Sequence, residues 1–277
     1  MDNKDQESKT NFGFQTVDKQ DKSEKVKQIF DNVTDNYNLM NDLLSLGIHR
    51  LWKRVAVELS GIRSDSYILD LAGGTGDMIK LIAPKLNEKG ELILSDINLK
   101  MLMSGRDRLI DLGINNFKTL QIDAEVLPFK ENTFDIVSMA FGLRNVTDKK
   151  KTLASIIDCL KPGGKLVVLE FSKPKNEILR EIYDLYSFEV IPKLGSLIAQ
   201  SEESYLYLAE SIKMHPNQEE LRVLFEGCGF ENCNYENLTN GIVAIKGFCP
   251  FLGRKGFFYK LFRCQVNESV VCIISII

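Results

Sequence analysis

Residues 69–77 read LDLAGGTGD: an apolar stretch carrying an aspartate, then a glycine turn, then a second acid. The residues just before, YILDLA, suit a short buried strand, and those just after, DMIKLIAPKL, suit a helix. A strand that hands over to a helix through such a turn is the opening unit of a parallel sheet. Glycines in the turn let backbone approach a ligand with no Cβ in the way. The dinucleotide fingerprint GxGxxG requires a third glycine. Gly74 and Gly76 supply the first pair, but Ile79 stands in the third slot, so a dinucleotide pyrophosphate is disfavoured. A tight turn that binds nothing is the alternative for these residues taken alone.

The same rhythm runs outward from this unit. ELILSDI, FKTLQIDA, TFDIVSMAF and KLVVLEFS read as further strands, with helices over NLKMLMSGRDRLIDLG, ended at Gly113, and DKKKTLASIIDCLKPGG. Regular alternation implies an α/β fold with a doubly wound, mostly parallel sheet and helices on both faces. ENCNYENLTNGIVAIKGF closes the series as two strands joined by a short turn at Thr239-Asn240-Gly241. Upstream, residues 23–60 form a helical cap, with Val26, Ile29, Phe30 and Val33 at helical spacing and Ser23 as its cap residue. Residues 174–214 form a helical insertion, a natural lid. Residues 1–22 are polar and expected to be poorly ordered, and 249–277 are an extension of unknown role, so one domain spans 23–248.

Composition narrows the class. The chain has 277 residues, 44% hydrophobic and 26% charged, with a formal net charge of −3, which gives no general reason to bind nucleic acid. Its six cysteines form no CxxC pair and no secretory signal opens the sequence, so free thiols in a reducing, cytoplasmic setting are expected. No metal site is expected. The apolar VVCIISII at the end is far too short to span a bilayer.

Two acids place a ligand beside the turn. Asp96 ends the second strand about twenty residues past the turn, where a carboxylate accepts from ribose hydroxyls. Asp123 ends the third strand, where it suits an adenine amino group, with the Ala124 amide donating to the ring. Open parallel sheets bind ligands at their strand carboxyl ends. The pattern of Asp70, Ala72, Gly74 and Gly76, together with the closing hairpin, resembles the S-adenosylmethionine (SAM) methyltransferases and their Rossmann-like seven-stranded sheet. On that reading Asp70, Gly73, Gly74, Thr75, Gly76, Asp96, Asp123, Ala124 and Ala140 make the cofactor site.

Longer motifs sharpen the resemblance. YNLMNDLLSLGIHRLWKR (37–54), FGLRNVTD (141–148), LKPGGKLVVLEFSKP (160–174) and YLAESIKMHPNQ (207–218) are similar to the UbiE-type ubiquinone/menaquinone C-methyltransferases, from about Phe12 to Phe248. Asn38 departs from that pattern, where aspartate is usual. Asp158-Cys159 replaces Arg-Val, and Ala140 stands where relatives often carry serine. The resemblance implies methylation of a ring carbon of a polyprenyl benzoquinol, of demethylmenaquinol, or of both. A non-catalytic SAM-binding scaffold in a quinone-synthesis complex is the alternative. Arg144 and Asn145, just beyond the fourth strand, are expected to face the quinol; a structural Arg144, paired with an acid and holding its loop, is the competing reading. Tyr37, Asn41, His49 and Tyr183 are further candidates to line the substrate site. A quinol with a prenyl tail implies peripheral contact at the inner face of a membrane.

Overall fold

Strand alternation sorts the core into two layers. In the computed structural model, which describes residues 8–199 and 201–250, β3 (Tyr67–Asp70) turns Leu69 to one face and Ile68 to the other. β6 (Phe134–Ala140) and β7 (Leu160–Phe171) continue the division. Val137, Met139, Leu166 and Val168 pack on one side, and Ile136, Val167 and Leu169 on the other. Both sets are buried, as expected for parallel strands covered on both faces. Burying each such side chain contributes roughly 1.5–3 kcal/mol.

With β4 (Glu91–Asp96), β5 (Lys118–Gln121), β8 (Phe230–Leu238) and β9 (Val243–Pro250), the strands form one seven-stranded sheet in the order β5-β4-β3-β6-β7-β9-β8. The first five run parallel. β9 is antiparallel to both of its neighbours, so a hairpin closes the sheet, and its connection is a single turn over Thr239–Gly241. Both expectations from the sequence hold. Asn240 and Gly241 take positive φ there, which that turn requires.

The crossover helices start on side-chain caps. Asn98 opens α5 (Leu99–Asp111) by accepting from the Met101 amide, and Asp148 opens α6 (Lys149–Cys159) by accepting from that of Lys151. Asn217 and Glu220 form a capping box on α10 (Gln218–Gly227). Gly113 takes φ +77° after α5, as its sequence position suggested. The insertion is helical: α7 (Glu177–Leu185), a π turn over Tyr186–Val190, α8 (Ile191–Ala199) and α9 (Glu202–Met214).

The N-terminal region differs from expectation. Residues 8–22, assigned to a poorly ordered tail, form a hairpin of β1 (Lys9–Phe12) and β2 (Gln15–Asp18) and then begin a helix. That helix, α1 (Lys19–Val33), starts four residues before Ser23, which therefore lies inside it and caps nothing. Long-range contacts hold this segment where local sequence gave no signal: Phe12 stacks on Tyr207 at 4.4 Å, and Glu210 accepts from the Phe14 amide at 3.1 Å. α2 (Tyr37–Leu44), α3 (Ile48–Leu59) and α4 (Asp77–Ile82) complete the fold. Residues 251–277, the bulk of the expected extension, lie outside the described residues. Among the described residues no helix is long and apolar enough to cross a membrane, and Cys159 and Cys228 carry free thiols.

Candidate active site

Two cavities open over the carboxyl ends of the parallel strands. The first encloses about 470 Å³, within the range of small-ligand sites. Its floor is the three strand ends singled out by sequence: Gly74 after β3, Asp96 at the end of β4, and Asp123 with Ala124 past β5. Ala140, at the end of β6, completes it. The Asp96 carboxylate accepts from the Gly74 amide at 2.9 Å and the Asn98 amide at 2.8 Å. Burial pushes its pKa up to about 6 against those backbone donors, so it is an anion at neutral pH. Asp123 accepts from the Glu125 amide at 2.9 Å, which fixes the carboxylate at the rim.

The remaining cofactor candidates stand behind this surface. Asp70 is fully buried, and its Oδ1 accepts from Ser138 Oγ at 2.7 Å. Desolvation raises its pKa to about 7, with the Ser138 bond opposing. Gly73 faces the sheet: a Cβ there would meet Leu94 at 2.5 Å and Asp70 at 2.6 Å. Gly76 faces α5, where a Cβ would meet Leu109 at 2.6 Å. Thr75 donates to Asn38 Oδ1 at 2.8 Å and so ties the glycine turn to α2 rather than facing the cavity. The expected Asp70–Gly76 contact set therefore divides into one lining residue, Gly74, and a scaffold around it.

Sequence reasoning overlooked part of the wall. Ala72 and Phe141 both line the first cavity and both adopt left-handed backbone, φ +54° and +58°. Non-glycine residues in that region cost roughly 1–2 kcal/mol each. The two loops touch, since a Cβ on Gly142 would lie 2.7 Å from that of Ala72. Ile97, Met101 and Phe30 also line the space, as does Tyr37, which the sequence offers for the substrate site. α1 is laced over it: Lys22 Nζ donates to Val146 O at 3.0 Å, Lys19 pairs with Asp148 at 3.1 Å, and Asn98 donates to Asp31 at 2.9 Å.

The second cavity, about 330 Å³, is mostly apolar and lies between the N-terminal cap and the insertion. Phe30, Tyr37 and Phe141 line both cavities and form the wall between them. Here the structure gathers Asn41, His49, Tyr183 and Arg144, residues from three separate segments. Burial raises the Tyr183 pKa, keeping it a neutral phenol. Asn145 instead lines the first cavity, where its Oδ1 accepts from Tyr207 at 3.1 Å.

Arg144 is held from behind. Its Nη1 donates to Glu170 Oε1 at 3.0 Å and to the Phe141 carbonyl, while Glu170 Oε2 accepts from its amide at 3.1 Å. Both side chains are buried, and Arg144 Nε has no hydrogen-bond partner among the described residues. The acid-paired, loop-holding reading of Arg144 is thus realised, in a residue that also lines the second cavity. Glu170 was missed from sequence, although its signal is there: a lone acid in the apolar run VVLEF. Asp77 closes a second knot. It binds Lys53 at 2.6 Å and Arg108 at 2.7 Å; burial would raise its pKa, but these two cations hold it far below the usual carboxylate range.

Comparison with known proteins identifies relatives of the chain. The ubiE/COQ5 methyltransferase family model matches residues 18–248. The ubiquinone/menaquinone biosynthesis C-methyltransferase UbiE of Methylococcus capsulatus is 55% identical over 86% of this chain and 97% of its own. That of Teredinibacter turnerae is 53% identical over 86% and 96%. Among solved structures, a SAM-dependent methyltransferase from Aquifex aeolicus superposes with a TM-score of 0.56 at 16% identity, over 76% of this chain and 96% of its own. The [4+2]-cyclase SpnF gives 0.61 at 15%, over 82% and 96%. The structural likenesses establish the fold alone.

Proposed function

The chain belongs to the ubiE/COQ5 methyltransferase family, and from that premise we infer that its two cavities divide a SAM-dependent C-methylation between them. It is a C-methyltransferase of ubiquinone/menaquinone biosynthesis, with SAM as methyl donor. The first cavity suits that donor. Gly74 leaves open the space that a Cβ would fill, 3.2 Å from the Met101 methyl, and Asp96 presents a carboxylate already oriented by two backbone amides. Asp96 would take the ribose hydroxyls, and Asp123 with the Ala124 amide the adenine edge. Bound there, SAM supplies an electrophilic methyl group to a carbon nucleophile.

The second cavity would hold the substrate, a polyprenyl benzoquinol or demethylmenaquinol. The observation that carries this reading is the shared wall: an apolar chamber adjoins the donor site through three aromatic side chains, with the buried Arg144 in its lining. A quinol carbon becomes nucleophilic once the neighbouring hydroxyl loses its proton. Arg144, fixed by Glu170, would stabilise the resulting phenolate. Being always charged, it is a poor base. Incubation with methyl-labelled SAM and a short-chain demethylmenaquinol is expected to place label on a ring carbon. No label on this quinol or on a benzoquinol would overturn the assignment and return the scaffold alternative.

The insertion would bring this chamber to a membrane surface. α7 has no fully buried residue and exposes Ile178, Ile182 and Leu185, while Leu46, 84% exposed, stands at the cavity margin. An amphipathic helix of this kind lies in the interfacial plane. Ile182→Glu is expected to lower co-sedimentation with phospholipid vesicles and to leave SAM affinity unchanged; equal sedimentation of variant and parent would remove the idea.

A further inference from the structure

The quinol reading leaves one chemical need unmet, a group to take the hydroxyl proton, and the second cavity offers few. Arg144 does not deprotonate. Lys53 is engaged by Asp77 at 2.6 Å. Tyr183, Tyr186, Tyr205 and Tyr207 are phenols whose pKa values burial raises further. His49 is the histidine that lines the chamber; the chain's second, His215, lies elsewhere in the core.

The surroundings of His49 fix which of its nitrogens accepts a proton. Its Nε2 lies 3.6 Å from Asp42 Oδ1 and 4.0 Å from Asp77 Oδ2. Two carboxylates on that side favour the tautomer with hydrogen on Nε2, which leaves Nδ1 as the acceptor. Nδ1 is 2.7 Å from Ser45 Oγ, and Ser45 also lines the chamber. Ser45 Oγ is equally 2.7 Å from the Asn41 carbonyl. With its hydrogen turned to Nδ1, the hydroxyl can receive a proton as it gives up its own. A base flanked by an acid that orients it and a hydroxyl that it serves is a recurring arrangement in proton transfer.

We propose that His49, acting through Ser45 and oriented by Asp42 and Asp77, is the base that deprotonates the quinol hydroxyl. The inference rests on the quinol reading of the second cavity. The quinol O–H bond breaks with its electron pair left on oxygen and its proton bonds to Ser45 Oγ, while the hydroxyl's own O–H bond breaks and an N–H bond forms at Nδ1. After carbon methylation the ring-carbon proton moves to that oxygen as the ring becomes aromatic again. His49 then releases its proton to solvent, so each turnover yields one proton.

The charges around His49 set the pH at which it works. Asp42 faces it from α2 and Asp77 from the start of α4, with Arg108 of α5 behind Asp77. Lys53 and Arg50 share its own helix, and Arg144 stands among the residues lining the same chamber. The sheet side of α3 is apolar, with Val167, Leu169 and Ile245. Burial and then Lys53 lower its pKa below the ordinary value, against the pull of Asp77 and Asp42, so the imidazole is neutral at pH 7.

The test uses the full chain and two independent readouts. In His49→Asn, kcat for a demethylmenaquinol is expected to fall on the order of 100- to 10,000-fold. KM and SAM affinity should change little. The acid limb of the wild-type kcat profile should vanish, and activity should partly return at high pH, where the quinol ionises unaided. Ser45→Ala should show a smaller loss of the same kind. Separately, 4-nitro-1-naphthol, acidic enough to give its proton to a histidine, bound at about pH 5 without methyl donor should show more of the naphtholate absorption band in the wild type than in His49→Asn and His49→Gln. Unchanged kcat and acid limb in the variants, or an equal naphtholate band, would overturn the proposal. If the wild type methylates no quinol, the functional reading fails, and the naphthol readout still decides whether His49 takes a phenolic proton.

Discussion

Single residues in the glycine turn do different work, and substitution separates them. Gly74 lines the first cavity at φ +53°, whereas Gly76 at φ +80° meets Leu109 of α5. A Cβ at either position costs roughly 1–2 kcal/mol of backbone strain. Gly74→Ala should therefore lower SAM affinity at least tenfold in calorimetry, by taking up space above Asp96, with a modest fall in melting temperature. Gly76→Ala should cost more stability, because its Cβ would lie 2.6 Å from a buried leucine. Equal affinity losses with equal stability changes would contradict this division of roles. The strand-end acids could be placed because the signal is local: Asp96 and Asp123 close the segments ELILSD and FKTLQID at the carboxyl ends of their strands. The partner of the Thr75 side chain could not be read, because Asn38 is thirty-seven residues away and no spacing rule reaches that far.

At the level of elements, the loop after β6 depends on β7 for its shape. Glu170 holds the Arg144 backbone and side chain together, while Phe141 and Ala72 stay left-handed beneath them. Glu170→Ala leaves a buried guanidinium uncompensated and is expected to destabilise the protein by about 3–5 kcal/mol. The denaturant midpoint measures that loss, and a change under 1 kcal/mol would show that the pair contributes little. The parallel strands and their helices could be read from sequence because hydrophobic periodicity reports burial directly. β1 and β2 could not, since a four-residue polar strand such as QTVD carries no such pattern. Its place depends on Phe12 finding Tyr207 across the molecule.

Taken whole, the protein buries lysines as well as acids, and its stability should show both with pH. Burial brings Lys246 to about 7, against attraction from Glu170, and Lys22 to about 7, assisted by Lys149. A lysine whose folded pKa is depressed binds fewer protons in the native state between that value and about 10.5. Stability therefore rises with pH across this interval. The Asp70 penalty runs the other way, growing from pH 3.8 to about 7 and constant above. Between pH 7 and 9 the lysines dominate, by at most about 2 kcal/mol each, while the Cys159 thiol, pushed up to about 12 by burial, opposes them weakly as pH nears 9. Denaturant midpoints should climb over that range, and Lys246→Met should flatten the climb; an unchanged slope would refute the assignment. The wall of Phe30, Tyr37 and Phe141 has a consequence of its own. Three side chains that serve two chambers cannot be packed for one without altering the other. Occupancy on either side is then thermodynamically linked, and linkage is symmetrical. On the proposed assignment of the cavities, the factor by which a filled donor chamber changes quinol affinity must equal the factor by which quinol changes donor affinity. Methyl donor and demethylated product, differing by one methyl group and one positive charge, would set different values of it.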